Sequence, residues 1–154
     1  AGIMVSDALE SYGPQLAPFS SETLNQMAKL SPAWMPLANP LDIWPAVMLH
    51  GGRKAYSVAL KAVLKDPHVD GVICIAIAPM PEFSFLDVSD ALNNALQDIA
   101  PNKPVIAWIY GPNTAAVKKR FESKNRIMIY PTLKIAAWAL SLLRDRYKIT
   151  RILR

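Results

Sequence analysis

Two uninterrupted apolar runs constrain this chain more than anything else in it. Gly71 to Ala78 (GVICIAIA) and Pro104 to Tyr110 (PVIAWIY) carry no charge and are rich in β-branched and aromatic residues. Such runs read as strands buried on both faces, the pattern of a parallel sheet covered by helices. Amphipathic segments alternate with them. Arg53 to Lys65 has an apolar stripe of Tyr56, Ala59, Leu60, Val63 and Leu64, and Asp66-Pro67 stops it. Asp87 to Ile99, capped by Asp87 or Ser89, and Thr114 to Lys124 read as two more helices. A short strand, Ile127 to Tyr130, leads into a last helix, Thr132 to Tyr147. Strand alternating with helix means parallel strands joined by right-handed crossovers. The expected class is α/β, a three-layer sandwich of flavodoxin-like (Rossmann-like) type.

The first third is less regular. Residues 3–12 read as a helix with Ile3, Met4, Ala8 and Leu9 on its inner face, ended by Tyr12-Gly13-Pro14. A second helix, about Ser21 to Leu30, takes Ser20 as N-cap and turns Leu24, Met27 and Ala28 inward. From Ser31 to Pro45, prolines at 32, 36, 40 and 45 remove too many amide donors for a long regular element. A short edge strand ending in a structured loop is expected there. Sheets of this kind open with a strand, whereas this chain opens on Ala1-Gly2 and then helix. That pattern leads us to expect a strand and glycine loop upstream of Ala1, and a chain that is part of a longer protein. The tail, 148–154, is basic and is set apart from a domain spanning 1–147.

At 154 residues the chain is one domain's length. Its single cysteine, Cys74, excludes a disulfide framework and a cysteine zinc site. Apolar runs reach only about ten residues, half of a membrane span, and no signal-peptide pattern opens the chain, so a cytoplasmic location is expected. The net charge of +5 is unevenly spread: residues 1–117 hold six Lys/Arg and ten Asp/Glu, residues 118–154 eleven and two. The basic residues sit among regularly spaced apolar ones without a base-stacking aromatic series. A solvated basic face is favoured over docking to an acidic partner or to nucleic acid.

No residue here reads as a catalytic group. Cys74 lies mid-strand, where a thiol is desolvated and inert. His68 sits in a helix-to-strand turn and His50 beside Gly51-Gly52, with no clustered carboxylates to complete a metal site. Neither G-x-G-x-x-G nor a Walker motif occurs. What remains is of a supporting kind. Gly2 before a helix offers free amides and a positive dipole end to an anion. The loops at the carboxyl ends of the strands, where α/β sheets bind ligands, are Asn39 to Trp44, Pro79 to Phe85 and Gly111 to Asn113. In the first, Asn39 and Asp42 suit either a ligand contact or the fixing of their own backbone.

Five ordered landmarks resemble the nucleoside-diphosphate-forming acyl-CoA synthetases. They are Ala1 to Leu9 (AGIMVSDAL), Leu37 to Ile43 (LANPLDI), Asp66 to Ile73 (DPHVDGVI), Lys103-Pro104-Val105, and Ile129 to Leu133 (IYPTL) before a helix ending Arg146-Tyr147. The similarity is to that superfamily's last flavodoxin-like domain, which also closes the succinyl-CoA synthetase β-subunit. The chain departs from the pattern at Lys124-Asn125-Arg126, where the family usually has a glycine before the last strand.

The resemblance implies a domain of a multidomain ligase that converts acyl-CoA, ADP and phosphate to free acid, CoA and ATP through a phosphohistidine. It implies that Gly2, Ile3 and Met4 form a phosphate-facing helix end, and that Asn39, Asp42, Pro79 and Met80 stand in or beside acyl-site loops. CoA, ATP/ADP and Mg would be used by the parent enzyme, none of them assigned to this domain. The implied partners are CoA-binding, phosphohistidine and ATP-grasp domains and a small acyl substrate, with no nucleic acid or membrane. Neither His50 nor His68 inherits the phosphohistidine role. The competing readings are a ligand-sensing or regulatory relative, and a stand-alone flavodoxin-like binding domain.

Overall fold

A computed structural model describes residues 2–99 and 102–152, with side chains through 150. Ala1 and the last two residues of the tail lie outside the described residues. The elements follow the order α1 (Gly2–Glu10), α2 (Ser21–Ala28), α3 (Trp44–His50), α4 (Gly52–Lys65), β1 (Val72–Ile77), a 3₁₀ segment (Pro81–Leu86), α5 (Ser89–Ile99), β2 (Val105–Tyr110), α6 (Thr114–Glu122), β3 (Met128–Tyr130) and α7 (Leu133–Ile152). The three strands form one sheet in the order β1-β2-β3. Both pairings are parallel, Val72 opposite Val105 through Ile77 opposite Tyr110, then Ile106 to Trp108 opposite Met128 to Tyr130. The α/β class read from the alternating pattern is what the chain adopts.

Strand periodicity assigns the two faces of the sheet. Cys74, Ala76 and Ala78, with Val105, Ala107 and Ile109, pack against Leu60 and Leu64 of α4, Leu92 and Leu96 of α5, and Val117 and Phe121 of α6. The opposite face, Ile73, Ile75 and Trp108, is covered by Val5 and Leu9 of α1 and Leu133 and Ala137 of α7. A further cluster joins Met27 and Leu30 to Ala46 and Val47 of α3 and the outer side of α4, at Ala55, Ala59 and Ala62. Helix α4 is therefore buried on two sides, which explains its three buried alanines.

Several local expectations are corrected. In α1 the buried pair is Val5 and Leu9, whereas Ile3 and Met4 are exposed, because the covering layer is one helix, α7, and takes a narrow i, i+4 stripe. In α2, Thr23 and Met27 are inside and Ala28 is exposed. Between Ser31 and Ile43 no strand forms; instead the unanticipated α3 begins at Trp44 with Pro45 in its first turn, a position where proline needs no amide donor. Strand β1 is buried on one face only, with Ile73, Ile75 and Ile77 half-buried. Helix α7 continues across residue 147 without a break. Where the resemblance expected a glycine before the last strand, Asn125 takes the left-handed conformation at φ 51°, a role that asparagine tolerates better than most residues.

The joint between the helical first third and the sheet is the Asp66 carboxylate. It is buried, accepts the Ser20 amide at 2.8 Å and the His68 amide at 2.9 Å, and its own carbonyl accepts Lys103 Nζ at 2.6 Å. Burial alone would raise its pKa. The hydrogen bonds from His68, Thr23 and Ser20 overcome that and hold the carboxyl far below the ordinary carboxylate range. A depressed carboxylate pKa contributes stability that is present above the unfolded value, about 3.9, and is lost as pH falls toward the folded one. The variant Asp66→Asn is expected to lose about 2 kcal/mol at pH 7, since an amide cannot accept at both oxygens. It should also flatten the fall in stability between pH 5 and 2 (about the range set by these values). Urea midpoints of parent and variant across that range check both.

Candidate functional site at the carboxyl end of the sheet

Helix α1 runs in the same direction as α7. Its first turn, at Met4, lies beside Pro131 to Lys134, and just past its last turn the Tyr12 carbonyl accepts Arg144 Nη2 from lower on α7. Because α7 follows β3 directly, the amino end of α1 stands at the carboxyl end of the strands. There it meets the Asn39–Trp44 loop: a Cβ placed on Gly2 would lie 3.2 Å from the Pro40 ring. The structure thus brings Gly2 together with the loop holding Asn39 and Asp42. The first-turn amides of α1 have no partner within the helix, as in any α-helix. The Ile3 and Met4 side chains are largely exposed, at 80% and 58%.

The two polar loop residues hold their own backbone. Asn39 Nδ2 donates to the Ala17 carbonyl at 3.0 Å, tying the loop to the α1–α2 connection. The Asp42 carboxylate accepts the Trp44 amide at 2.9 Å and so starts α3. Asp42 remains exposed, with acceptor capacity to spare.

The strand-end loops are held close together. Gly111, at φ 130°, follows β2 where a Cβ would come within 2.5 Å of the Ala78 carbonyl, and that carbonyl also accepts the Asn113 amide at 3.3 Å. Only glycine permits this approach. Pro79 is buried, whereas Met80 stands 44% exposed at the start of the 3₁₀ segment. Beyond it Phe83 and Phe85 are also exposed, edge to face at 6.3 Å. Asn39 lines a shallow cleft of about 330 Å³ with Leu16 to Phe19, Leu24, Leu37 and Ala38. Met4 lines another of about 480 Å³ between α1, Trp108 and the start of α7. Asp42, Pro79 and Met80 border neither.

One residue at this end was read from its spacing as simple core. Tyr56, within the α4 stripe, donates its hydroxyl to the Ile75 carbonyl at 2.7 Å. Burial chiefly, then Cys74, Tyr110 and Asp42, raise its pKa, so the phenol stays a donor at neutral pH. A tyrosine in an apolar stripe gives no sequence signal for this, because the acceptor is brought up only by the fold. Tyr110 itself stacks on Trp108 at 5.1 Å. The histidines stay apart: His50 is exposed at the end of α3, and His68 lies 3.5 Å from Asp66. Among the described residues no three His, Cys, Asp or Glu groups assemble to hold a metal ion, and no helix is long and apolar enough to cross a membrane.

No protein-family model matches the chain. It is 44% identical over 68 residues to the acetate–CoA ligase [ADP-forming] II of Archaeoglobus fulgidus, covering 44% of this chain and 10% of that protein. It is 27% identical over 145 residues to the alpha subunit of the Pyrococcus furiosus acetate–CoA ligase [ADP-forming] II, covering 90% of this chain and 30% of the subunit. This chain is a homologue of the ADP-forming acetate–CoA ligases. The solved dinucleotide-forming acetyl-coenzyme A synthetase 1 of Ca. Korarchaeum cryptofilum, in complex with phosphate and ADP, superposes with a TM-score of 0.75 at 25% identity, covering 99% of this chain and 33% of that one. Its apo form gives 0.77 at 24% identity. The chain spans between a tenth and a third of the length of these ligase relatives.

The thiol within this ligase homologue's sheet offers a direct check. Burial pushes Cys74 up to about 12. At pH 8 it should react with an aromatic disulfide reagent at least about a hundredfold more slowly in the folded chain than in urea. Comparable rates would show that the sheet face is open.

Proposed function

We propose that this chain is the flavodoxin-like domain of an acyl-CoA synthetase that runs acyl-CoA + ADP + phosphate = acid + CoA + ATP, with the amino end of α1 turned toward the phosphoryl group and the strand-end loops beside the acyl group. One observation carries the reading: in a chain homologous to ADP-forming acetate–CoA ligases, α1 presents its amino end at the carboxyl end of the sheet, with Gly2 against Pro40 of the Asn39–Asp42 loop.

The chemistry suits that placement. A helix amino end stabilises an oxyanion through fixed amide dipoles, without a titrating group and without reorganisation during transfer. The first turn of α1 carries no acidic side chain to oppose an anion. Gly2 keeps the amides approachable. Asn39 and Asp42, by holding the loop and the start of α3, act as positioning residues for Pro40 and the backbone around it. Cys74, His50 and His68 take no part. The phosphorylated histidine, the CoA site and the nucleotide site with its Mg would come from other domains of the same polypeptide or of a partner subunit.

Three measurements test this. Residues 1–154 alone should show no acyl-CoA-dependent phosphorylation of ADP; turnover by the purified chain overturns the division of labour. In the complete enzyme, Gly2→Asp places a negative charge at the helix end and crowds Pro40. It should lower kcat at least about tenfold while leaving CoA binding intact, since one misplaced charge costs more than about 1.4 kcal/mol in the transition state. Asp42→Ala should raise the acyl substrate KM without changing phosphate dependence. Parent-like behaviour of both variants would remove the site assignment.

A further inference from the structure

Helix α7 has two apolar sides, and the domain covers one of them. Leu133, Ala136 and Ala137 are buried against α1 and the sheet, with Leu140 partly so. On the opposite side Ile135, Trp138, Leu142 and Ile149 are 38 to 57% exposed. Together with Asp145 these positions follow one another at steps of 3, 4, 3 and 4 residues, the spacing of a coiled-coil seam. The seam runs about 21 Å along the helix, at 1.5 Å per residue. From Asp145 to Thr150 every residue is exposed, so α7 continues past the cover of its own domain. Helices draw most of their stability from packing an amphipathic face, and this stretch has no such packing within the domain. Cations border the seam: Lys134 and Lys148 along one side and Arg146 along the other, all exposed. Among the described residues none of the three has an ion-pair partner, whereas Asp145 in the seam is held by Arg144 at 2.8 Å. A merely solvated basic face does not account for an apolar file running between the charges.

We infer that the outer side of α7 docks an amphipathic helix of a partner polypeptide, apolar along its contact face and acidic along both borders. The spacing sets the shape of the partner, because side chains that recur every 3.5 residues on average interlock with those of another helix. The charges set its borders, because Lys134, Arg146 and Lys148 attract Asp and Glu at the flanking positions and repel Lys and Arg. A second copy of this chain does not suit. In an antiparallel pair centred on Leu142, Lys134 would face Lys148 of the other copy, and the borders would be cationic throughout. A lipid surface does not suit either, since the seam is a single narrow file and Asp145 would enter the apolar phase with it. Trp138 is the expected anchor, being the largest apolar group in the seam and the residue type that most often carries binding energy at interfaces. This inference goes beyond the ligase reading and does not rest on it.

The test adds to residues 1–154 a labelled peptide of about three heptads, with Leu at its seam positions and Glu along both borders. A peptide with Lys at the border positions is the control. Fluorescence anisotropy should show the Glu-bordered peptide binding at least about tenfold more tightly than the Lys-bordered one, by an amount that falls as salt rises. Leu142→Glu should weaken that binding at least about tenfold. It should leave the melting temperature unchanged, because Leu142 is 48% exposed on the side away from the core. Lys134→Glu and Lys148→Glu made together should reverse the preference between the two peptides, a result that a misfolded variant would not give. Equal affinity for both peptides, binding of neither, or binding unmoved by Leu142→Glu overturns the inference. Sedimentation and vesicle flotation close the alternatives. Dimerisation abolished by Leu142→Glu would assign the seam to a second copy, and retention on phosphatidylserine vesicles abolished by it would assign the seam to a membrane surface; either result overturns the inference.

Discussion

Everything at the candidate site hangs on the parallel pairing of β1 with β2. Six residues of each strand are in register, and at their carboxyl ends the Ala78 carbonyl sits against Gly111. That contact brings the loop carrying Pro79 and Met80 beside the loop leading into α6. With the sheet as a floor, α1 and α7 pack on one face and α4, α5 and α6 on the other. The amino ends of α1, α6 and α7 then lie at the carboxyl end of the strands, where helix dipoles favour an anion without any charged side chain.

The polar residues divide by burial. Asp66, fully enclosed, is committed to structure: its oxygens cap two amides and it joins α2, α4 and β1. Asp87 plays a similar role at the next junction. Burial opposes its ionised form, whereas the Ser89 amide and Arg120 hold its carboxyl below the usual range. Asp42 is exposed and uses one oxygen on its own backbone, which leaves it free to face a partner or ligand. Three aspartates before helices or turns look alike in a sequence. They separate only when solvent access is known, because burial decides whether the remaining lone pairs must be satisfied within the chain.

Legibility followed the same physical line. The two strand runs, α4, α5 and the final helix were readable because burial on a sheet imposes a period of two or 3.6 on the sequence. Ser20 was readable as an N-cap, and the Thr23 amide does donate to its hydroxyl. What failed was local. Ile3 and Met4 were assigned inward because apolar residues at a helix start suggest a core, yet the face that α7 covers is set by packing and takes Val5 and Leu9. Helix α3 was hidden among prolines, one of which starts it. Of the candidate site, the loops and Gly2 were proposed from topology and resemblance. Their meeting at Pro40 was not, since nothing in the sequence relates residue 2 to residue 40.

The sequence by itself determined the α/β class and the parallel order of elements, because hydrophobic period is a local property. It also pointed to the acyl-CoA synthetases through short ordered motifs. Only the tertiary structure decided which face of each helix is covered and that α1 presents its amino end to the Asn39 loop. Those facts depend on distances between segments remote in the chain, and such distances are set by packing the whole core at once.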